Sequence, residues 1–199
     1  MLDEEDVSDR IVDSPGYSTL LDSKKWSQIA GCIRLVSFGN ASIIRDLNKE
    51  DLLNIFTARC FSSLVKYRSK ITALFKQFNV TTLDRAIKFV RKQSLSTLLT
   101  NSGKLITFTK SVQREYNIML DEDVSDRIVD SQGYSTLLDS KKWSQISKCI
   151  KSICTKVDFD PSKLTADLLL GICTSYCFAS LIEYQKYVVF ERNIDLCFY

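Results

Sequence analysis

Histidine is absent from the 199 residues, and this absence removes most of the common catalytic machinery. Ser-His-Asp and Cys-His arrangements, histidine general bases and histidine-rich metal sites all require the imidazole ring. The six glycines are isolated from one another, so neither glycine-rich phosphate-binding loop, GxxxxGK[ST] or GxGxxG, is present. Catalysis by carboxylates or cysteines alone stays open, but we expect a non-enzymatic protein with no catalytic residue and no cofactor.

Glycine and proline are scarce, with six and two residues, which disfavours an all-β sandwich or barrel because such folds need many tight turns. Long apolar runs are also lacking. The longest uncharged one, LLLGICTSYCFASLI over 168–182, is too short to cross a bilayer, so we interpret it as one buried core helix and expect no membrane partner. The first residues, MLDEEDVSDR, are acidic where a secretory signal is basic and then apolar. We therefore expect a cytoplasmic or nuclear protein that is not secreted.

The seven cysteines include no CxxC pair, and with no secretory signal we interpret them as reduced thiols that serve as small core residues. Cys173 and Cys177 have the i, i+4 spacing that can place two thiols toward one metal ion. A zinc site would need two further thiolates from distant segments, so we predict no metal site.

One segment of the chain is present twice. EDVSDRIVDSPGYSTLLDSKKWSQI, residues 5–29, returns at 122–146 with one difference, Pro15 against Gln132. The same offset of 117 continues with weaker similarity, since 12 of the 53 pairs between 30–82 and 147–199 are identical. The pattern predicts an internal duplication, with a first unit over 1–117 and a truncated second unit over 118–199 packed together into one compact body.

Apolar residues in both copies follow a helical period. Trp26, Ile29, Ile33 and Val36 form a stripe that Trp143, Ile146, Ile150 and Ile153 repeat. The fold class we predict is all-α, a helical bundle of about seven helices.

Helix boundaries can also be predicted from the residues. A long helix is expected to begin after an N-cap at Asn48 and to continue to Phe78. Its counterpart begins after Thr165, or alternatively at Asp160-Pro161. Two further helices, over 83–92 and 104–119, are expected on either side of a stop at 101–103.

Charge is unevenly distributed along the chain. The net charge is +3 overall, but residues 1–29 carry −4, residues 118–146 carry −3 and residues 30–117 carry +10. Between Lys66 and Arg114, eleven basic residues accompany a single acid, Asp84. The candidate residues for binding phosphates or an acidic partner are Lys66, Arg68, Lys70, Arg85, Lys88, Arg91, Lys92, Lys110 and Arg114. A solvated helix face with no ligand explains the same pattern, and no known nucleic-acid-binding motif accompanies it.

The duplicated segment is the second candidate site. Its candidate interaction residues are Asp6, Asp9, Tyr17 and Trp26 in the first copy and Asp123, Asp126, Tyr134 and Trp143 in the second. The near-identity reflects either a recent duplication or a surface that is used twice.

From these observations we expect a non-enzymatic α-helical protein–protein interaction module, in the manner of viral accessory or effector proteins. The partner is another protein or a second copy of the chain, giving a homo-oligomer. The alternative is a nucleic-acid-binding protein, for example one that binds RNA, using the basic face of residues 66–114.

Overall fold

Helices are the only regular structure in the part of the chain that the computed structural model describes, residues 4–184. Within that range there are fifteen α-helices, joined by short turns and four 3-10 helices. The prediction of an all-α fold is therefore confirmed. None of these helices has the length and apolar character needed to span a membrane.

The chain divides into two compact units, Met1–Ser102 and Gly103–Tyr199. The helices of the first unit are α1 (Glu4–Val12), α2 (Tyr17–Leu21), α3 (Trp26–Val36), α4 (Ala41–Asp46), α5 (Lys49–Phe56), α6 (Phe61–Lys66), α7 (Ile71–Gln77), α8 (Leu83–Val90) and α9 (Leu95–Thr100). The second unit contains α10 (Ser102–Tyr116), α11 (Glu122–Asp130), α12 (Tyr134–Leu137), α13 (Trp143–Lys156), α14 (Ala166–Cys173) and α15 (Phe178–Tyr184). The 3-10 helices are Ser23–Lys25, Arg68–Lys70, Ser140–Lys142 and Pro161–Lys163.

The boundary between the compact units differs from the boundary drawn from the repeat. Repeat numbering places residues 103–117 at the end of the first unit, whereas the structure places α10 in the second compact unit. The first unit therefore carries two helices, α8 and α9, after the elements it shares in sequence with the second unit. The second unit carries its extra helix, α10, before them.

Several helices begin at the residues that the sequence indicated. Asn48 caps α5 through a capping box, in which its side chain accepts from the Asp51 N–H and the Asp51 carboxylate accepts from the Asn48 N–H. Thr165 caps α14 by accepting a hydrogen bond from the Leu168 N–H. Asp160 caps a separate 3-10 helix, Pro161–Lys163, just before α14. A helix therefore begins at each of the two positions that the sequence indicated.

The expected number of about seven helices is wrong, because segments predicted to be single helices are broken. The long helix expected from residue 48 to 78 is three helices, α5, α6 and α7. The first of these ends at Thr57, whose hydroxyl donates to the Leu53 carbonyl at 2.7 Å. Neither glycine nor proline lies at these breaks, so the usual sequence signals are missing there.

The apolar run at 168–182 is also not one buried helix. It spans the end of α14, a turn, and the start of α15. Thr174 ends α14 by donating its hydroxyl to the Leu170 carbonyl at 2.7 Å, and the turn exposes Tyr176 and Cys177. Leu168 is exposed as well, so the prediction of one buried core helix over 168–182 is wrong.

The core of each unit is apolar and built from helix faces. In the first unit α6 packs on α9, α1 on α5, and α3 on α6 and α8. Phe61, Phe78 and Phe89 are the largest fully buried side chains there. In the second unit α11 packs on α12 and α14, and α13 packs on α14 and α15 around the buried Phe178.

Candidate functional site

In the second unit, a cluster of polar side chains fastens α10 to α13. The Glu115 carboxylate, near the end of α10, accepts a hydrogen bond of 2.9 Å from the indole Nε1 of Trp143 and one of 2.6 Å from Lys151. It also accepts a hydrogen bond from the hydroxyl of Ser147. Trp143, Ser147 and Lys151 are spaced i, i+4 and i+8, so they share the face of α13 that α10 covers.

Aromatic contacts accompany this polar cluster. The ring of Phe108 on α10 packs edge-on against the Trp143 ring at 5.8 Å between centroids, and Tyr116 does so at 6.5 Å. Phe108, Leu138 and Trp143 line one narrow crevice between α10 and the duplicated segment. An indole that is half-buried in this way needs an acceptor for its N–H, which Glu115 supplies.

The cluster changes the acidity of two of its members. Burial alone would raise the pKa of Glu115, but the hydrogen bonds from Lys151, Ser147 and Trp143 lower it overall. Burial raises the pKa of Tyr116 to about 12, against the opposing hydrogen bond with Ser147. At neutral pH Glu115 is therefore charged and Tyr116 is neutral, which suits a structural contact.

Among residues 4–184, no helix covers the same segment of the first unit in this way. Trp26 is 60% exposed where Trp143 is half-buried, and Leu21 is 65% exposed where Leu138 is 2% exposed. The residues of the first unit that correspond to the α10-covered residues Leu138, Trp143, Ser147 and Lys151 form what we call the uncovered face. They are Leu21, Trp26, Ala30 and Arg34.

Val12 follows the same trend. It is 52% exposed, whereas its counterpart Val129 is 7% exposed. Val12, Leu21 and Trp26 account for three of the exposed large apolar side chains in the described part of the chain, and all three belong to the duplicated segment. Identical residues are thus buried in one copy and exposed in the other.

A groove with a volume of about 620 Å³ lies beside this face, between α3 and α7 of the first unit. Apolar side chains line it, including Leu35, Phe38 and Phe75. Arg34, Arg68 and Lys76 also line it, so we call it the cationic groove. Arg34 belongs to both the groove and the uncovered face, which therefore adjoin.

The residues that the α3 side contributes to the groove are not repeated in the second copy. Phe38 has a positive φ of 56°, which is rare for an aromatic residue, and its ring contacts Phe75 at 5.6 Å. In the second copy the residues corresponding to Gly31, Leu35 and Phe38 are Lys148, Ser152 and Thr155, so polar residues replace the two apolar side chains, Leu35 and Phe38.

The structure divides the predicted basic residues between the two units. Lys110 and Arg114 lie on α10 in the second unit, and the other seven lie in the first. Several are engaged in local contacts. Arg85 donates to the Asn79 carbonyl at 2.9 Å, Arg91 donates to the Asn54 side chain, and Lys92 lies 6.0 Å from the Phe89 ring centroid.

Tyr67 brings two of the predicted basic residues together. The ammonium groups of Lys66 and Lys70 each lie 5.0 Å from the centroid of its ring. Arg68 donates to the Val65 carbonyl and lines the cationic groove, while Lys88 lies exposed on α8. Of the nine predicted residues, Arg68 alone lines the groove; its other two cations were not predicted.

The acidic residues predicted in the duplicated segment lie on helices that precede the aromatic ones. Asp6, Asp9 and Asp123 are exposed and Asp126 is half-buried, as are Tyr17 and Tyr134. What sequence reasoning missed is an ion pair that recurs at the same offset: Arg10 with Glu50 at 3.0 Å, and Arg127 with Asp167 at 2.8 Å. The signal in the sequence was that Arg10 and Glu50 are matched, 117 residues later, by Arg127 and Asp167, which carry the same charges.

Glu115 and Leu21 are the functional candidates that the sequence did not single out. Glu115 lies outside the duplicated segment, in a stretch whose charge is mostly positive. Leu21 looks like any apolar helix residue until its burial is compared with that of Leu138.

The cysteines are largely core residues, as expected. Cys32, Cys149, Cys154 and Cys173 are buried, and burial raises the pKa of each thiol. Cys173 lies inside α14 but Cys177 lies in the exposed turn after it. Across residues 4–184, no three side chains from Cys, Asp and Glu form a group that would hold a metal ion.

Comparison with known proteins adds no relative to this description. No protein-family model, curated protein sequence or solved structure matches the chain.

Proposed function

We propose that the protein is a non-enzymatic, α-helical protein–protein interaction module that binds its partner through the uncovered face of the first unit. The observation that carries this proposal is the contrast within the duplicated segment. Under α10 in the second unit Leu138 is buried and Trp143 is half-buried, whereas Leu21 and Trp26 are exposed to solvent in the first unit. An exposed cluster of large apolar side chains on a folded unit is typical of an interaction surface.

The chemistry of the face agrees with this role. Tryptophan and arginine are the residue types most enriched among those that dominate binding energy at protein interfaces. Trp26 and Arg34 both lie on the uncovered face, and both are exposed. The cationic groove next to Arg34 extends this surface with further apolar and positively charged side chains.

We also propose that the two units are copies of one helical module, with the second copy truncated. Support comes from elements that begin 117 residues apart, such as α3 and α13, α5 and α14, and α6 and α15. An ion pair also recurs at this offset: Arg10–Glu50 joins α1 to α5, and Arg127–Asp167 joins α11 to α14. On this proposal the covered copy is a template for what the uncovered copy binds.

A displayed library of random 16-residue helical peptides tests the interaction proposal. Selection against the immobilised full chain should enrich peptides that bind the native protein and lose binding to the Leu21→Glu variant. Leu21 is exposed, so this variant keeps the fold, and far-UV circular dichroism verifies it. If every enriched peptide binds the Leu21→Glu and Trp26→Ala variants as tightly as the native chain, the proposal is wrong.

Nucleic-acid binding is the second candidate function. The observation that favours it is Tyr67 with two lysine ammonium groups, those of Lys66 and Lys70, each 5.0 Å from its ring centroid, a pairing of aromatic ring and positive charge suited to single strands. Affinity for a generic single-stranded RNA should then fall steeply with salt and drop in a Lys66→Glu/Lys70→Glu variant. Unchanged binding in that variant, relative to a Lys148→Glu/Lys156→Glu control in the second unit, would exclude this candidate.

A further inference from the structure

The contacts that hold α10 on the second unit have counterpart positions in the first unit. Trp143 and Lys151, which donate to Glu115, correspond to Trp26 and Arg34. Their spacing on the helix is the same, so an indole N–H and a cation are again presented on one face of α3. Of the three side chains that donate to Glu115, only that of Ser147 has no polar counterpart, because Ala30 stands at the equivalent position.

Charge also matches between α10 and the segment it covers. Each copy of the 25-residue segment carries five acids and three bases, a net charge of −2. The α10 helix carries three bases and one acid, a net charge of +2. Lys104 of α10 lines the same crevice as Asp139, whose counterpart in the first unit is Asp22. The uncovered face thus lies on a segment with the same net charge of −2 as the segment that accepts α10, and it adjoins the cationic groove at Arg34.

The residues of α10 that face the duplicated segment form a simple pattern. Phe108, Ser111 and Glu115 are spaced i, i+3 and i+7, which places them on one side of the helix. The aromatic ring meets the tryptophan, the small residue allows close approach, and the carboxylate reaches the indole N–H. An amphipathic helix lying in a groove is a common mode of peptide recognition.

We infer that the uncovered face binds an amphipathic helix of another protein chain, one with net positive charge that carries an aromatic residue and, seven positions later, a carboxylate. The aromatic ring packs against Trp26, and the carboxylate accepts hydrogen bonds from Trp26 Nε1 and from Arg34. The guanidinium of Arg34 offers two donors where Lys151 offers one ammonium, so it compensates for the hydroxyl missing at Ala30. This inference rests on the proposed interaction function and names the partner's chemistry.

The test uses the full chain and a synthetic peptide of residues 102–117, SGKLITFTKSVQREYN. A Trp143→Phe variant leaves Trp26 as the sole tryptophan, and the peptide contains none. Titration of the peptide should shift the Trp26 emission to shorter wavelength in a saturable way, because the indole leaves water. A Leu21→Glu version of the same chain should show at least about a tenfold weaker midpoint, since a charge replaces an apolar contact.

Matched peptides test the role of the carboxylate. A peptide with Glu115→Lys should bind at least about tenfold more weakly than the native sequence, because its ammonium group faces the Arg34 guanidinium without a hydrogen-bond acceptor. A peptide with Gln113→Lys, which changes a residue that is exposed on α10, serves as the control and should bind as the native peptide does. Equal binding of the Glu115→Lys peptide would overturn the inference.

Two other outcomes separate this inference from the proposed function. If peptide 102–117 leaves Trp26 emission unchanged while library peptides bind in a Leu21-dependent way, the interaction module stands and the partner chemistry is wrong. If neither binds, both proposals fail. Sedimentation velocity of the chain alone shows whether the protein forms a dimer. If it does, and if Leu21→Glu dissociates that dimer, a second copy covers the uncovered face and the inference of a partner helix is wrong.

Discussion

The Glu115 carboxylate on α10 accepts a 2.9 Å hydrogen bond from the indole Nε1 of Trp143 on α13, whereas the equivalent indole, that of Trp26, lies 60% exposed on α3. The two tryptophans follow the same 21 residues, apart from the difference at Pro15 and Gln132. Their environments differ because one helix, α10, precedes the second copy.

Truncation of the two tryptophans should have unequal effects on stability. Trp143→Ala removes two ring contacts and leaves the Glu115 carboxylate without its indole donor, so we expect a loss of about 2 kcal/mol or more from the free energy of unfolding. Trp26→Ala should change it by less than about 0.5 kcal/mol. Urea denaturation followed by far-UV circular dichroism measures both. Equal losses for the two variants would contradict the assignment of α10 as the cover of Trp143.

The hydrogen bonds to Glu115 should make the second unit sensitive to acid. The folded pKa of this carboxyl is below its ordinary value of 4.5, so its charged form stabilises the fold above that pH. The difference in free energy of unfolding between the native chain and Glu115→Gln should be constant near neutral pH and decline as pH falls below about 4.5. Thermal melts from pH 7 to pH 3 measure this difference. A difference between the two proteins that stays constant from pH 7 to pH 3 would contradict the role of the Glu115 charge.

The two copies offer a matched pair of glycines. A methyl group on Gly16 would lie 3.1 Å from the Phe61 Cβ and 3.2 Å from the Phe56 carbonyl oxygen, closer than side chains normally pack. On Gly133 it would lie 3.7 Å from the Ala179 Cβ, an ordinary contact. Gly16→Ala should therefore destabilise the protein by about 1–3 kcal/mol.

The second glycine serves as the control for the first. Gly133→Ala should leave stability unchanged or raise it by up to about 1 kcal/mol, because alanine reduces the entropy of the unfolded chain. Guanidinium denaturation of both variants gives the comparison. A loss for Gly133→Ala as large as that for Gly16→Ala would show that the close approach of Phe61 is not the cause.

Cysteine reactivity should separate the turn after α14 from the core. Cys177 is exposed, whereas Cys173, four residues earlier, is buried and has its pKa raised by that burial. Because the thiolate is the reactive form, iodoacetamide should modify Cys177 well before Cys173 under native conditions. Peptide mass spectrometry over a time course measures the two rates, and denaturant should abolish the difference. Comparable native rates would mean that 168–182 is packed differently from the arrangement of α14, turn and α15.

Sequence patterns determined the features of this protein that depend on local interactions. The absence of histidine, the helical period of Trp26, Ile29 and Val36, and the caps at Asn48 and Thr165 all reflect contacts within a few residues, which a sequence displays directly. The breaks at Thr57 and Thr174 were not predictable in the same way, because no glycine or proline marks them. There the chain turns so that apolar residues on both sides reach the core, and core packing depends on the whole unit.

The candidate site shows the same division between local and distant causes. The near-identity of 5–29 and 122–146 is visible in the sequence. Identical residues cannot by themselves explain why Leu21 is exposed and Leu138 is buried. That difference comes from α10 and its Glu115, which lie outside the segment and reach it only in the folded unit. The residues alone show that one 25-residue segment is present twice. Which copy is covered follows from the fold, because burial depends on what packs against a residue and not on the residue alone.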